Sequence, residues 1–196
     1  MWYDEMTRGL IRRERTMRII SGQARGRKLK TLEGLDTRPT LDRTREALFN
    51  ILQQRVRDAR VLDLFAGSGA LALEALSRGA GSAVLCDQSP AACGIIRENI
   101  ALVRMEDRAR LLCCEASQAL ERLVGEQFDL IFLDPPYHKG LIDAALEGMI
   151  RRNQLAEGGL IVAETAQDEG FDLPEGLTFT DERKYGKSRL HFIERA

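Results

Sequence analysis

The chain has 196 residues, of which 44% are hydrophobic and 30% are charged, as is usual for a soluble globular protein with one main domain. No segment approaches the roughly 18 consecutive apolar residues of a membrane-spanning helix. The amino terminus also lacks the apolar centre of a signal peptide. We therefore expect a cytoplasmic protein that does not associate with membranes.

The net charge of −1 conceals a division between the amino terminus and the rest of the chain. The first 30 residues hold nine basic and three acidic residues, so the remainder is acidic. A basic arm on an acidic body suggests a polyanionic partner such as a nucleic acid, and a solvated tail is the alternative. The arm residues expected to contact phosphates are Arg18, Arg25, Arg27 and Lys28.

The four cysteines are Cys86, Cys93, Cys113 and Cys114. None of them has C-x-x-C spacing, and both histidines lie far from them in the sequence, which argues against a structural zinc site. In a reducing cytosol we expect small buried thiols and no bound metal.

The first predicted elements precede the main alternating pattern. Residues 17–32 alternate apolar and polar residues around a glycine-containing turn and predict a small β-hairpin. Residues 37–55 predict a turn at Pro39 followed by an amphipathic helix, whose apolar stripe comprises Leu41, Ala47, Leu48, Ile51 and Leu52. We expect a basic extension with a hairpin over residues 1–40 and a main domain over residues 41–196.

Strands and helices then alternate along the chain. Strands are predicted at 59–66, 82–87, 108–114, 128–134 and 158–165, and helices at 69–79, 90–103, 116–124 and 141–152. Residues 177–194 predict two further strands around Gly186. This pattern predicts an α/β fold with a doubly wound, mostly parallel seven-stranded sheet, Rossmann-like in architecture. Ligands of such sheets bind beyond the carboxyl ends of the strands.

A glycine loop follows the first of these strands. Gly67 and Gly69 separate the strand from a helix, and Asp87 ends the next strand 20 residues beyond Gly67. This spacing fits an adenosine-containing ligand, either NAD or S-adenosylmethionine. Asp63 lies inside the strand, where a carboxylate needs a partner. It would suit the ammonium group of S-adenosylmethionine and would repel a pyrophosphate.

The segment Asp134-Pro135-Pro136-Tyr137 ends the apolar strand 128–134. Consecutive prolines cannot continue a central strand, so the chain must turn there. The Asp134 carboxylate and the Pro135 carbonyl are two acceptors for the two hydrogens of an exocyclic amine. Tyr137 offers a face on which a nucleobase can stack. The alternative is a rigid loop whose aspartate caps the next helix.

These motifs resemble those of class I S-adenosylmethionine-dependent amino-methyltransferases, and more closely the RsmD family, bacterial methyltransferases acting on N2 of a guanine in small-subunit ribosomal RNA. The resemblance begins near Met17 and covers RIISGQARGRKL, TRPTLDRTREALFNIL, VLDLFAGSGALALEALSRGA, FDLIFLDPPY and KYGKSRL. It implies that ribosomal RNA or a small-subunit assembly particle is the partner. We expect the protein to act as a monomer.

The resemblance also implies which residues form the site. The cofactor loop would comprise Asp63, Phe65, Ala66, Gly67, Ser68 and Gly69, and the ribose site Asp87, Gln88 and Ser89. Glu115 and Ala116 stand where the family usually has Asp-Ala beside the adenine amino group. Arg38 and Thr40 match an entry loop over the cofactor. The catalytic set would be Asp134, Pro135, Pro136 and Tyr137.

Three other functions remain open at this point. The same chemistry could act on a DNA base or on a protein glutamine amide. The aspartate at position 134, in place of asparagine, argues against an enzyme that methylates protein amides. No separate DNA-recognition domain is evident, which favours a large RNA or ribonucleoprotein substrate. An NAD-dependent oxidoreductase would leave Asp63 and the Asp-Pro-Pro-Tyr segment unexplained. A non-catalytic RNA-binding or assembly protein would not need the complete set of loop, ribose acid and acceptor segment.

Overall fold

The computed structural model describes residues 17–31 and 39–196. Its helices are α1 Pro39–Leu52, α2 Ala70–Ser77, α3 Pro90–Val103, α4 Ala116–Arg122 and α5 Leu141–Arg151, and a short 3-10 helix covers Gln53–Arg55. Its strands are β1 Arg60–Asp63, β2 Ser82–Asp87, β3 Ala109–Cys113, β4 Phe128–Leu133, β5 Leu155–Ala166, β6 Leu177–Tyr185 and β7 Ser188–Arg195. Among these residues no helix is both long and apolar enough to cross a membrane.

The seven strands form one sheet in the order β3-β2-β1-β4-β5-β7-β6. Strands β1 to β5 pair in parallel, and β7 runs antiparallel to both β5 and β6. The predicted doubly wound, mostly parallel sheet is therefore confirmed. The chain proceeds outward from β1 to β3 and then returns to place β4 on the other side of β1. The carboxyl ends of β1 and β4 thus flank the topological switch point, where ligands of such folds bind.

Both faces of the sheet are covered, which explains the nearly continuous apolar strands. Successive side chains of a strand point to opposite faces, so Val61 packs with α1, α2 and α3, whereas Leu62 packs with α4 and α5. Phe132 and Ile131 divide in the same way in β4. Burial on both sides requires apolar residues at every central position.

Helix α1 corrects one predicted position. Ile51, assigned to the apolar stripe, is 41% exposed. Leu48 and Leu52 are buried as predicted, and Phe49 and the polar Thr44 and Arg45 lie on the same buried face. The spacing of four between Thr44 and Leu48, and between Leu48 and Leu52, places these residues on one side of a helix. Ile51 lies beside that face and points to solvent.

The predicted hairpin at residues 17–32 forms with minimal pairing. A single antiparallel bridge joins Arg18 to Lys28, supported by a bond from the Leu29 amide to the Met17 carbonyl of 2.8 Å. Its interior side chains, Ile19, Ala24 and Leu29, are buried in the core beside α1 and α2. The division at residue 40 stays a prediction, because residues 1–16 and 32–38 lie outside the described range.

Two side chains, one on α2 and one on α3, anchor this hairpin. Glu74 is completely buried and accepts from the backbone amides of Ile20, at 2.7 Å, and Ser21, at 3.0 Å. Asn99 of α3 accepts from the Lys30 amide at 2.7 Å. Gly22 has φ of 82°, and a Cβ atom there would lie 1.8 Å from the Ser77 carbonyl oxygen. Only glycine permits this close approach to α2.

The cysteine prediction is only partly right. Cys86, Cys93 and Cys114 are buried, but Cys113 is exposed and its sulfur is paired with that of Cys93 in a disulfide between α3 and β3. The sequence separation of 20 residues gave no sign of this pairing. It follows from the packing of α3 against β3, which places the two Cα atoms 6.0 Å apart, within the usual range for a disulfide.

Candidate active site

A cavity of about 950 Å³ opens at the carboxyl edge of the sheet, over the switch point between β1 and β4. The loops after β1, β2, β3 and β4 all contribute to its wall. Helix α1 and the hairpin close it from above through Thr44, Arg45, Met17 and Thr31. The cavity is thus built from segments far apart in the chain, as expected of a ligand site in this architecture.

The glycine loop after β1 is shaped by two left-handed residues. Gly67 has φ of 55° and Gly69 has φ of 79°, a region that other residues adopt only with strain. A Cβ atom at Gly69 would also lie 2.9 Å from the Leu85 side chain. Gly69 therefore makes the turn without lining the cavity, whereas Gly67 and Ser68 lie in its wall.

Asp87 connects the loops after β1 and β2. Its Oδ2 atom accepts from the Gly67 amide at 2.9 Å, and its Oδ1 atom accepts from the Ser89 amide at 2.8 Å. Each carboxylate oxygen keeps a further lone pair for a ligand. Ser89 caps α3 by accepting from the Ala92 amide. Asp87 thereby fixes the position of the glycine loop, next to the point where Asp87 itself is predicted to bind a ribose.

Asp63 is a buried acid at the floor of the cavity, with 1% of its surface exposed. Its Oδ2 atom accepts from the Ala72 amide at 3.3 Å, while its Oδ1 atom is buried without a hydrogen-bond partner among the described residues. Desolvation is the main cause that raises the pKa of Asp63 to about 7, supported by the charge of Asp87 and opposed by the nearby amides of Ala72 and Phe65. A cation in the cavity would supply the missing partner.

The Asp134–Tyr137 segment forms the opposite wall, as predicted. Asp134 is open to the cavity, yet surrounding protein atoms withdraw its carboxyl group from bulk water. This desolvation, followed by the negative charges of Glu164 and Asp63, raises the pKa of Asp134 well above its ordinary value. Pro135 is buried and holds the turn, and Tyr137 remains 39% exposed.

Tyr137 is oriented by an acid that the sequence reasoning missed. Its phenol donates to the Oε1 atom of Glu164 at 3.0 Å. Desolvation, then the charges of Glu164 and Asp134, raise the pKa of Tyr137 above its ordinary value, so the phenol keeps its proton. Glu164 lies near the carboxyl end of β5, next to β4, and lines the cavity. Like Asp63, it is an acid near the end of an apolar strand, and that signal could have identified it.

The structure brings most of the predicted site residues together. The cavity wall includes Asp63, Phe65, Ala66, Gly67, Ser68, Asp87, Gln88, Ser89, Glu115, Ala116, Asp134, Pro135, Pro136 and Tyr137. Glu115 stands just before α4, with its side chain exposed. Arg38 lies outside the described residues, and the side chain of Thr40 does as well. The individual roles given to all of these residues remain predictions.

The four basic residues of the arm are exposed and do not belong to the cavity wall. Arg18, Arg25, Arg27 and Lys28 all lie on the hairpin that closes the cavity through Met17 and Thr31. Arg45 connects α1 to the hairpin, because its guanidinium donates to the Arg18 carbonyl. The basic surface therefore lies beside the entrance and not within it.

A second cleft, of about 880 Å³, lies at the amino edge of the sheet. Two arginines of its wall form ion pairs: Arg60 binds Asp129 at 3.0 Å, and Arg110 binds Glu126 at 2.8 Å. The hydrogen bond from the Arg60 side chain is the main cause that lowers the pKa of Asp129. Glu106, Asp107 and Arg108 also line this cleft, which lies at the opposite edge of the sheet from the predicted site residues.

The strand order, the glycine loop after β1, the carboxylate after β2 and the Asp-Pro-Pro-Tyr segment after β4 together define a class I methyltransferase. The chain belongs to the family described as Conserved hypothetical protein 95, whose model matches residues 17–194. This membership confirms the resemblance to the RsmD family and sets aside the oxidoreductase alternative.

Two relatives and one solved structure illustrate the similarity. The chain is 36% identical to the ribosomal RNA small subunit methyltransferase D of Escherichia coli, over 91% of this chain and 90% of that one. It is 34% identical to the protein of the same name from Haemophilus influenzae, over 87% and 89%. The solved structure of the Escherichia coli protein yhhF superposes with a TM-score of 0.83 at 37% identity, over 92% of this chain and 98% of that one.

Proposed function

We propose that this protein transfers a methyl group from S-adenosylmethionine to the exocyclic N2 amine of a guanine in small-subunit ribosomal RNA, in the cytoplasm. One observation carries the proposal. Asp134 and Tyr137 line the same cavity as Gly67 and Asp87, so a base held by the former pair faces a cofactor held by the latter. The relatives are named as methyltransferases of small-subunit ribosomal RNA.

The residues present fit the proposed cofactor. The Oδ1 atom of Asp63 is buried without a partner among the described residues, and the ammonium of a methionyl group is a donor that would satisfy it. Asp87 would accept from ribose hydroxyls, and Glu115 would accept from the adenine amine. When bound, S-adenosylmethionine supplies a methyl group on a positively charged sulfur.

The acceptor segment would prepare the amine for transfer. The lone pair of an exocyclic amine is delocalised into its ring, which makes the nitrogen a poor nucleophile. The Asp134 carboxylate and the Pro135 carbonyl would each accept one amine hydrogen, which favours a pyramidal nitrogen and directs its lone pair. Because two prolines fix this backbone, the acceptors need no reorganisation during the reaction.

Asp134 is also the proposed acceptor of the proton that the amine loses on methylation. Its pKa is raised by desolvation and by the neighbouring acids Glu164 and Asp63, which makes this carboxylate a stronger proton acceptor than an ordinary aspartate. Tyr137 would stack on the guanine ring. Stacking in a cavity requires an unpaired or extruded base, because a base within a helix cannot reach it.

The exposed basic residues of the hairpin would bind the RNA backbone beside the entrance. Phosphate contacts from lysine and arginine position nucleic acids without reading their sequence. Arg25, Arg27 and Lys28 lie on the turn side of the hairpin, so they can contact RNA while the cavity receives the base. The proposed substrate is ribosomal RNA or a small-subunit assembly particle.

The test supplies cofactor labelled in its methyl group to small subunits, large subunits and free 16S RNA, all from cells that lack the modification. We expect the label on small-subunit RNA, as N2-methylguanine at one position. Label on an adenine, on a cytosine or on protein would refute the proposed acceptor. Absence of transfer to any of these substrates would refute the proposed reaction.

A further inference from the structure

Glu164 is the one acid of the acceptor wall to which the proposed reaction gives no task. It lies on β5, next to β4, the strand that ends just before Asp134, and it lines the same cavity. Its charge contributes to the raised pKa values of both Asp134 and Tyr137. Two carboxyl groups thus face the same cavity close enough to influence each other.

The surroundings of Glu164 do not neutralise it. Within the described part of the chain, no lysine, arginine or histidine forms an ion pair with Glu164. Its hydrogen bond comes from the neutral phenol of Tyr137, at 3.0 Å. Placing an acid without a cation beside another acid is unfavourable. A ligand that presents several donors would relieve this repulsion.

The Watson–Crick edges of the bases differ in the donors next to the amine. In guanine the N2 amine adjoins N1–H, so this edge presents donors side by side. In adenine and cytosine the amine adjoins a ring nitrogen with a lone pair, which would face a carboxylate unfavourably. Sites built to bond a substrate donor reject analogues that lack it, because their own buried polar group is then left unpaired.

We propose that Glu164 determines the base specificity of this enzyme: its carboxylate, oriented by the Tyr137 phenol, accepts the guanine N1–H while Asp134 holds the adjacent N2 amine. This inference rests on the proposed function. It divides the work between the two acids, since Asp134 activates the amine and Glu164 selects the base. Tyr137 contributes to both tasks, because its ring stacks on the base and its hydroxyl orients Glu164.

The test replaces the target guanine by 2-aminopurine, which keeps the N2 amine but has a lone pair in place of N1–H. The substrate is a small subunit reconstituted with ligated 16S RNA, at the position found by the labelling experiment. The parent enzyme, Glu164→Gln and the matched control Glu182→Gln are each measured on both bases. Glu182 is exposed on β6 and contacts Arg189 and His191 outside the cavity.

The quantity measured is the ratio of kcat/KM for guanine to kcat/KM for 2-aminopurine. We expect this ratio to exceed about tenfold for the parent and the control, from one charge-assisted hydrogen bond. In Glu164→Gln it should fall by about tenfold, because a glutamine amide can either accept from N1–H or donate to a bare N1. Both bases are measured on the same preparation, so any inactive fraction of a variant cancels from the ratio.

The outcomes separate the two proposals. If the parent methylates guanine but its ratio of kcat/KM for guanine to kcat/KM for 2-aminopurine equals that of Glu164→Gln, the role of Glu164 is overturned and the proposed function stands. A parent that methylates neither base at N2 refutes the proposed function, and this inference with it. A Glu164→Gln variant that binds cofactor normally but loses transfer to both bases equally would also overturn base selection. That result would mean that Glu164 helps Asp134 to activate the amine.

Discussion

The buried Asp63 should make the stability of the protein depend on pH in a defined direction. In the unfolded chain this carboxyl group loses its proton near pH 3.8, but in the folded protein it keeps the proton to about pH 7. Between these values the folded state binds the additional proton, so the free energy of unfolding falls as pH rises, by about 1.4 kcal/mol per pH unit. This loss of stability is absent below the pKa that Asp63 has in the unfolded chain and complete above the pKa that it has in the folded protein.

Substitution Asp63→Asn removes this titration while keeping an oxygen that can accept from the Ala72 amide. From pH 5 to pH 8, the free energy of unfolding of the variant should rise by about 2.5 kcal/mol relative to the parent. Groups that titrate in both proteins, such as His191, cancel from the difference. Urea unfolding followed by far-UV circular dichroism at pH 5, 6, 7 and 8 measures it.

Parallel curves for the parent and Asp63→Asn would refute this reasoning, since they would mean that Asp63 titrates alike in the folded and unfolded states. A difference that grows toward low pH would refute it as well, because that sign requires a lowered pKa. The predicted sign is unusual for an aspartate. It arises because Asp63 gains no cationic partner among the described residues when the chain folds.

Three further predictions concern the cofactor, the arm and its anchor. The affinity for S-adenosylmethionine should rise between pH 6 and pH 8, as Asp63 becomes ionised and can pair with the methionyl ammonium; calorimetry measures this. Replacing Arg25, Arg27 and Lys28 by glutamine should weaken RNA binding and reduce its salt slope by about 0.7 for each lost phosphate contact, in filter-binding titrations over a range of salt. Glu74→Ala should lower the free energy of unfolding by about 3 kcal/mol, because it leaves Arg78 and two backbone amides without their acceptor.

The arm and anchor predictions each have a control variant, and the cofactor prediction has a contradicting outcome. An affinity for the cofactor that does not change with pH in the parent would contradict the role of Asp63. The double substitution of Arg183 and Lys184 on β6, outside the cavity wall, should leave the salt slope unchanged, and an equal effect would count against the arm. Glu98→Ala removes an exposed ion pair with Lys30 and should cost less than about 1 kcal/mol; a similar loss in both glutamate variants would mean that the burial of Glu74 is unimportant.

Most of the sheet could be predicted from the sequence because each central strand is buried on two sides. Such strands appear as continuous apolar runs, and Gly67 and Pro135 mark the ends of the first and fourth runs. The prediction was less accurate where polar residues are buried. Thr44 and Arg45 lie on the inner face of α1, since they contact the cavity and the hairpin. No apolar periodicity indicates a polar contact of that kind.

The candidate site was predictable where one segment carries several functional groups. Asp134 to Tyr137 and the loop around Gly67 are short segments with unusual composition, and parallel strands bring their carboxyl ends to one edge. Glu164 could be recognised as an acid near the end of an apolar strand, but its place beside Asp134 depends on β5 being the neighbour of β4 in the sheet, which sequence order alone does not give. The disulfide of Cys93 and Cys113 likewise depended on how α3 packs against β3.

The most direct test of the account is methyl transfer by Asp134→Ala under single-turnover conditions, beside calorimetry of its cofactor binding. The account predicts a loss in the transfer rate of about a hundredfold or more, with the dissociation constant for S-adenosylmethionine nearly unchanged. The control Asp168→Ala alters an exposed acid that contacts His138 and should transfer at the parental rate. Normal transfer by Asp134→Ala would contradict the proposal that this carboxylate activates the amine.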